Sequence, residues 1–366
     1  MKDYGNDRDF LLKYLKITEL SRDNKKILLT PSLQGRVMTS TCGGDNGYSF
    51  GWLNYNLISS GKILPHCNNY GGEDRFWLGP EGGQYSWFFK KGTDFGFEDW
   101  QTPPVIDIEP WEQVSCDGNR AVFRKTAGLE NCSGIKFSLS LDRTVSLLSD
   151  DETESVLGCK TPPGVSFVAF RSDNRITNNG DFEWKRETGM PSIWILGQFK
   201  PSEDNTIMIP FKDKGGEQIN DAYFGKIPED RLSAKNNILY FKGDGKRRGK
   251  IGIPPGMTVP VCGAFDRTNG TFTVVKFSFG NPAAEYVNSM WEHQKEPFKG
   301  DVINSYNDGP LEDGSVMGPF YELETSSPAA NLKPGESMMH SHTTMHFSGA
   351  EAGLEKLIEH LFRTDK

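Results

Sequence analysis

Four stretches of this 366-residue chain gather side chains able to exchange protons, hold hydroxyl groups or bind a metal. The densest runs from His66 to Gln84 and intersperses Glu73, Asp74, Arg75, Trp77 and Glu81 with glycines. Planar donors and acceptors beside an indole suit a polyhydroxylated ring, whose hydroxyls need partners and whose C–H face stacks on an aromatic. The glycines would bring main chain close to whatever binds. A Gly-rich loop whose ions pair with one another would carry the same letters.

A second stretch, Phe167 to Gly180, begins apolar and ends polar, as a strand does on leaving a core for a cleft. Arg171, Asp173, Asn174 and Arg175 then become candidate ligands, with ordinary surface ion pairs as the alternative. In the third, Asn307 and Asp308 form a turn, and Glu322 and Glu324 share a parity on the strand that follows. Both would point to one face. Two carboxylates on one face are useful where one must titrate, whereas two exposed glutamates would do nothing.

In the fourth stretch His340, His342 and His346 stand at even offsets, so a strand would present all three on one face, a pattern able to ligate zinc. It echoes half of a cupin motif, but no glutamate ligand and no second motif follow. A histidine row at the surface or cleft edge is the preferred reading, so neither a metal nor a cofactor is expected.

The elements that position these residues are mostly β. Alternation at Ile135, Phe137, Leu139 and Leu141, at Ile193 and Ile195 on to Phe199, and at Phe277 and Phe279 following Phe272 and Val274 predicts strands with one buried face each. Turn signals at Asp117-Gly118, Asn178-Asn179-Gly180, Asn269-Gly270 and Asp308-Gly309 predict antiparallel connections. Two helices are expected at the ends: a cap over about 7–18, opened by Asp7 and Asp9, and a helix over about 349–363, with Ser348 and Glu351 spaced as a capping box. No Gly-rich phosphate loop joins a strand to a helix, which disfavours a doubly wound nucleotide-binding fold. One large antiparallel β-sandwich domain spanning 1–366 is the expected architecture.

Composition narrows the partners. The chain is 36% hydrophobic and 12% aromatic, with 40 glycines and 21 prolines, as in a turn-rich globular protein. A net charge of −8 and scattered cations argue against nucleic acid. The one basic run, Lys246-Arg247-Arg248 in GDGKRRGK, reads as a solvated hairpin tip. No apolar stretch is long enough to span a bilayer. The start lacks the apolar segment of a signal peptide, so a cytoplasmic location is expected as the sequence stands, and a periplasmic one if a leader has been removed. The six cysteines form no C-x-x-C pair and are expected to be free.

GGEDRFWLGPEGGQ at 71–84, YNDGP at 306–310 and GPFYELETSSPA at 318–329 make the chain resemble the galactose mutarotase-like (aldose 1-epimerase-like) superfamily, in a bacterial branch marked by these motifs. The likeness runs from Gln34 to His346. Its order is a Gly35-Arg36 strand, the Gly71-Gly72 turn, an Asn-containing strand and a glutamate before a threonine. The resemblance implies a supersandwich fold with a concave, sugar-holding face. It also implies Glu324 as the base that takes the anomeric proton and Arg75 as a substrate arginine. Where mutarotases carry an Asn-His-[Ser/Thr]-Tyr-Phe strand, this chain has Ser172-Asp173-Asn174-Arg175-Ile176. The histidine acid is missing there, and His66 or a C-terminal histidine is the candidate replacement. A carbohydrate-active enzyme, a non-catalytic carbohydrate-binding module and a cupin-like metalloprotein are the three functional expectations, in that order.

Overall fold

The computed structural model describes residues 3–213, 218–311 and 314–362. Ten strands form the larger sheet, in the order β11 (Leu232–Lys235), β12 (Ile238–Lys242), β10 (Asn205–Pro210), β14 (Val261–Asp266), β15 (Thr271–Phe277), β18 (Ser337–Ser348), β8 (Ser166–Asn178), β7 (Lys136–Leu147), β6 (Arg120–Glu130) and β5 (Glu112–Cys116). Opposite it lies a five-stranded sheet in the order β13 (Gly249–Ile253), β16 (Ile303–Asn307), β17 (Tyr321–Ser326), β9 (Ser192–Phe199) and β4 (Arg75–Gly79). A three-stranded sheet of β1 (Thr18–Arg22), β2 (Lys25–Thr30) and β3 (Arg36–Thr41) continues this second layer through a bridge between Val37 and Asp74. Every named ladder is antiparallel, as the turn signals predict.

Alternation explains the outer strands. In β7, Phe137, Leu139, Leu141, Arg143 and Val145 are buried while the residues that alternate with them stay at least partly accessible. β9 departs from the expected one-sided burial: all eight residues are buried, because both faces of this strand are covered. Phe76, Leu78, Ile193 and Ile195 from the five-stranded sheet pack on Leu139, Val168, Phe170 and Ile176 from the larger one. A second core joins Ile251, Ile253, Ile303 and Leu323 to Ile207, Phe241 and Val275. Each such side chain contributes roughly 1.5–3 kcal/mol on leaving water.

The helices lie outside this sandwich. α1 spans Tyr4–Leu11, earlier and shorter than the expected cap, since Asp3 caps it and Thr18 already pairs with Leu29. Asp7 is not a helix opener; it is buried, and accepts hydrogen bonds from Ser49 and Tyr55. α2 (Tyr55–Ser60) and α3 (Pro104–Asp107) are short. α4 (Asp150–Leu157) carries the capping box, formed by Ser149 and Glu152. The one expected at Ser348 and Glu351 does not form there, because Ser348 is spent on β18, paired with Ser166 and Thr271. α5 (Glu351–Phe362) lays Leu354, Leu357 and Phe362 on Phe265, Phe272 and Phe347, on the outer face of the larger sheet.

The segment GDGKRRGK is not a hairpin tip. It leaves β12 in the ten-stranded sheet and enters β13 in the five-stranded one, so it crosses between layers. Asn307 holds the crossing: its amide donates to the Arg247 carbonyl at 2.9 Å, and its carbonyl accepts from Gly245 N–H at 3.0 Å.

Candidate functional site

Register alone builds a polar floor on the far side of the five-stranded sheet from the core. Lys250 sits opposite Tyr306, Tyr306 opposite Glu322, and Glu322 opposite Gln198. One step along, Asn304 faces Glu324, Glu324 faces Leu196, and Leu196 faces Arg75. Trp194 and Trp77 pair beside them. Cross-strand partners share a face, so these residues from five strands all point the same way. Glu322 and Glu324 do share a face, separated by roughly 6.6 Å of strand.

The charges on this floor are paired. Arg75 donates to Glu322 at 2.5 Å, and the Gln198 amide donates to the same oxygen at 2.9 Å. Lys250 meets Glu324 Oε2 at 3.1 Å, and the Trp194 indole N–H donates to that oxygen at 3.0 Å. Glu324 Oε1 is buried and has no hydrogen-bond partner. Burial raises the Glu322 carboxyl to about 7, against the pull of Arg75. Lys250 is held above the ordinary lysine value: burial opposes its charge, but Glu324, Glu81 and Glu322 outweigh that cost.

Aromatic and polar side chains line and cover the floor. Trp77 meets Trp194 edge to face at 5.4 Å, lies 5.1 Å from the Arg75 guanidinium and touches Phe88 at 5.2 Å. Lys250 lies 4.8 Å from the Trp194 ring and 5.6 Å from that of Tyr223. Tyr223 donates to Asp301 at 2.6 Å, and burial pushes the Asp301 carboxyl up to about 6. Burial raises the Glu81 carboxyl above the ordinary carboxylate value, with Lys250 opposing the shift and Glu324 adding to it. Under this cover Glu324 is 0% exposed and Arg75 only 3%. Surface hollows of about 360 Å³ beside Asp151 and Lys160, and about 230 Å³ beside Ile219 and Leu239, lie away from it.

The remaining sequence-chosen residues go elsewhere. Asp74 forms a fully buried pair with Arg143 at 2.6 Å, which ties the layers together, and Asn174, the cross-strand neighbour of Arg143 in the larger sheet, accepts from it at 2.9 Å. Glu73 is buried between layers, bonded to Ser40 and, at 2.8 Å, to His346. Arg171 is on the outer face of the larger sheet, 3.2 Å from Asp173. Asn307 pins the crossing segment, and Asp308 accepts from Tyr306 and from Gly318 N–H in the loop that leads to β17. His66 Nδ1 lies 2.7 Å from the Trp100 carbonyl oxygen and 2.8 Å from the Gln101 amide nitrogen, and the ring packs on Phe97. Among the described residues no hydrogen bond or ring contact joins it to Arg75 or Glu324.

The histidine row is not at the surface. His340, His342 and His346 point between the sheets, the first two sharing Thr325 Oγ1 at 2.8 Å each. Burial lowers the pKa of the first two, His340 to about 3 and His342 to about 4. Among the described residues no group of three or more His, Cys, Asp or Glu side chains is placed to hold a metal.

The strand between Arg75 and Glu324 is β9, not the stretch 172–176, which lies in the other sheet. β9 offers Trp194, Leu196 and Gln198 and no histidine. Lys250, Gln198, Trp194 and Tyr223 escaped the sequence reading. Lys250 had a signal, being the last cation of the basic run, but only the crossing of layers turns it inward.

The chain belongs to DUF6786. The model of this family of unknown function matches residues 2–365. No curated protein matches. Among solved structures, the Slr1438 protein of Synechocystis sp. PCC 6803 superposes with a TM-score of 0.54 at 14% identity, over 92% of this chain and 96% of that one. A galactose mutarotase-like protein from Lactobacillus casei gives 0.52 at 10% identity, over 90% and 100% of the two chains. A putative aldose 1-epimerase from Escherichia coli K12 gives 0.50 at 12%, over 92% and 100%. This DUF6786 member therefore has the galactose mutarotase-like fold, as its motifs implied.

Proposed function

We propose that the protein acts on a sugar held over the five-stranded face, in the manner of an aldose 1-epimerase, with Glu324 as the base. The observation that carries this reading is the asymmetry of one carboxylate. Oε2 of Glu324 is fixed by Lys250 and Trp194, while Oε1 is buried with no partner. A desolvated acceptor aimed into a polar face is costly unless something donates to it. An anomeric hydroxyl would do so, and its proton would pass to Oε1. Arg75, Glu322 and Gln198 supply donors and acceptors for the other hydroxyls, and Trp77 and Trp194 supply ring surface for the C–H face. The shared fold with a putative aldose 1-epimerase and a galactose mutarotase-like protein supports the same class. Because Glu324 is fully covered, the side chains over it must move for a ligand to enter.

The test is polarimetry on freshly dissolved α-D-glucose and α-D-galactose. Wild-type protein should speed the approach to equilibrium rotation, and Glu324→Gln should slow it by about 100-fold or more. Equal rates with and without protein would remove the catalytic reading.

The closed cover and the missing histidine favour one second reading, a non-catalytic carbohydrate-binding module. Calorimetry separates the two, since heat of binding without acceleration would select the module.

A further inference from the structure

A hemiacetal carries two oxygens on one carbon, a hydroxyl that must give up its proton and a ring oxygen that must gain one. The two protein groups that serve them therefore have to be neighbours. Glu324 Oε1 answers the first need, and a lysine two strands away answers the second. The Lys250 ammonium lies 3.1 Å from Glu324 Oε2, and both side chains are buried. An ammonium carries three N–H donors. Among the described residues that of Lys250 makes one hydrogen bond, so two donors stand unused beside the unused acceptor of Glu324.

Backbone and ring contacts fix where those donors lie. β13 is paired along both edges: Lys250 sits opposite Tyr306 of β16, and on the other side Asn220 and Gly252 exchange main-chain hydrogen bonds at 3.0 and 2.8 Å. The Trp194 ring stands 4.8 Å and the Tyr223 ring 5.6 Å from the ammonium and flank it with aromatic surface. Other donors on the floor are committed. Tyr223 gives its O–H to Asp301 at 2.6 Å, and Trp194 gives its N–H to Glu324. Arg75 is paired with Glu322, and a guanidinium does not release a proton in a protein. The histidines singled out in the sequence lie elsewhere, His66 beside Trp100 and Phe97, and His340, His342 and His346 between the sheets.

We propose that Lys250 is the proton donor that works with Glu324, in the part of the absent histidine; this rests on the sugar reading above. Glu324 Oε1 takes the proton of the anomeric hydroxyl, the C1–O1 bond becomes a carbonyl, and the bond from C1 to the ring oxygen breaks with its electron pair going to that oxygen. Lys250 Nζ gives a proton to the ring oxygen, which leaves the open-chain aldehyde, a neutral amine and a neutral carboxyl. After rotation about C1–C2 both transfers reverse on the other face of the carbonyl and restore the ion pair. The exchange suits a dry site, because a buried ion pair becomes two neutral groups as the ring opens and no net charge is created. The alkoxide that would otherwise form is more basic than an amine, so the proton moves downhill. Burial opposes the ammonium, but Glu324, Glu81 and Glu322 outweigh it, so Lys250 enters the cycle protonated. Tyr306 across the strand pair, Tyr223 and, through Tyr223, Asp301 are the other titratable groups against it.

The experiment uses the full chain and its Lys250→Arg variant, which keeps the positive charge beside Glu324 but has no proton to release. The variant should stay folded by circular dichroism and bind D-galactose or D-glucose in calorimetry within about threefold of wild type. In polarimetry it should be slower by about 100-fold or more. Arginine would restore a partner whose only task is to hold Glu324, so a Lys250→Arg rate within about threefold of wild type overturns the assignment while the sugar reading stands. A second test needs no variant. Between pH 8 and 9.5 the wild-type rate at saturating sugar, less the uncatalysed rate, should be level, since the ammonium keeps its proton there. A donor that titrates near neutrality would lose about tenfold per pH unit over that range, and that outcome also overturns the assignment. A wild-type protein that accelerates neither sugar overturns both.

Discussion

Lys250 is the residue on which the floor's electrostatics turn. Among the described residues its ammonium is the one cation paired with Glu324, and both groups are almost wholly out of water. Removing one partner of such a pair leaves an uncompensated buried charge, at a cost of about 3–5 kcal/mol. Lys250→Met should therefore lower the unfolding free energy by about that amount in urea titrations, while Lys250→Arg should retain most of it. A loss below about 1 kcal/mol would mean that Glu324 is solvated or protonated. Nothing in GDGKRRGK by itself distinguishes Lys250 from Lys246, which is paired with exposed Glu203. The distinction comes from the strand that begins at Gly249 and from its pairing with β16.

At the scale of the element, β18 shows how a correct parity can carry a wrong environment. The even spacing of His340, His342 and His346 does place them on one face, but that face is turned inward, and α5 covers the other. This has a consequence for pH. Histidine in an unfolded chain takes up a proton near pH 6.5, whereas His340 and His342 resist it down to about 3 and about 4. Between those limits the unfolded state binds more protons, so these histidines make stability fall as pH is lowered. Glu322 acts in the opposite sense. Raised to about 7, it contributes stability that is complete below about 4.5 and is lost as pH rises through 7. Comparing wild type with a His340→Gln, His342→Gln double variant isolates the first effect. Going from pH 6 to pH 4.5, wild type should lose up to about 1.4 kcal/mol per pH unit for each histidine relative to the variant. Parallel stability curves would show that these imidazoles are hydrated.

Across the whole molecule, buried ions hold the layers in register. Arg143, on the apolar face of β7, reaches across to Asp74 just before β4, and also binds the Gly35 and Asp74 carbonyls. Arg75, the next residue after Asp74, points to the opposite side of the sheet and belongs to the floor. Asp74→Ala should cost about 3–5 kcal/mol in urea unfolding and leave sugar affinity in calorimetry within about twofold. A large loss of affinity at unchanged stability would return Asp74 to the ligand site. Asp74 and Arg75 read alike in sequence and end in two environments because successive residues of an extended chain face opposite ways, while Glu73 sits in the bend before β4 and joins Asp74 between the layers.

The antiparallel β architecture, the C-terminal helix and the common face of Glu322 and Glu324 were all readable from the sequence. Each depends on spacing along one segment, which the chain's own geometry imposes. The charge partners were not readable. Arg75 meets Glu322 across 247 residues, Glu324 meets Trp194 across 130, and Glu73 meets His346 across 273. Such pairs are set by which strands lie side by side, and strand order depends on packing summed over the whole sandwich. Tertiary structure alone therefore decided that Glu73 and Asp74 bind the layers together while Arg75, Glu322, Glu324 and Lys250 form the floor.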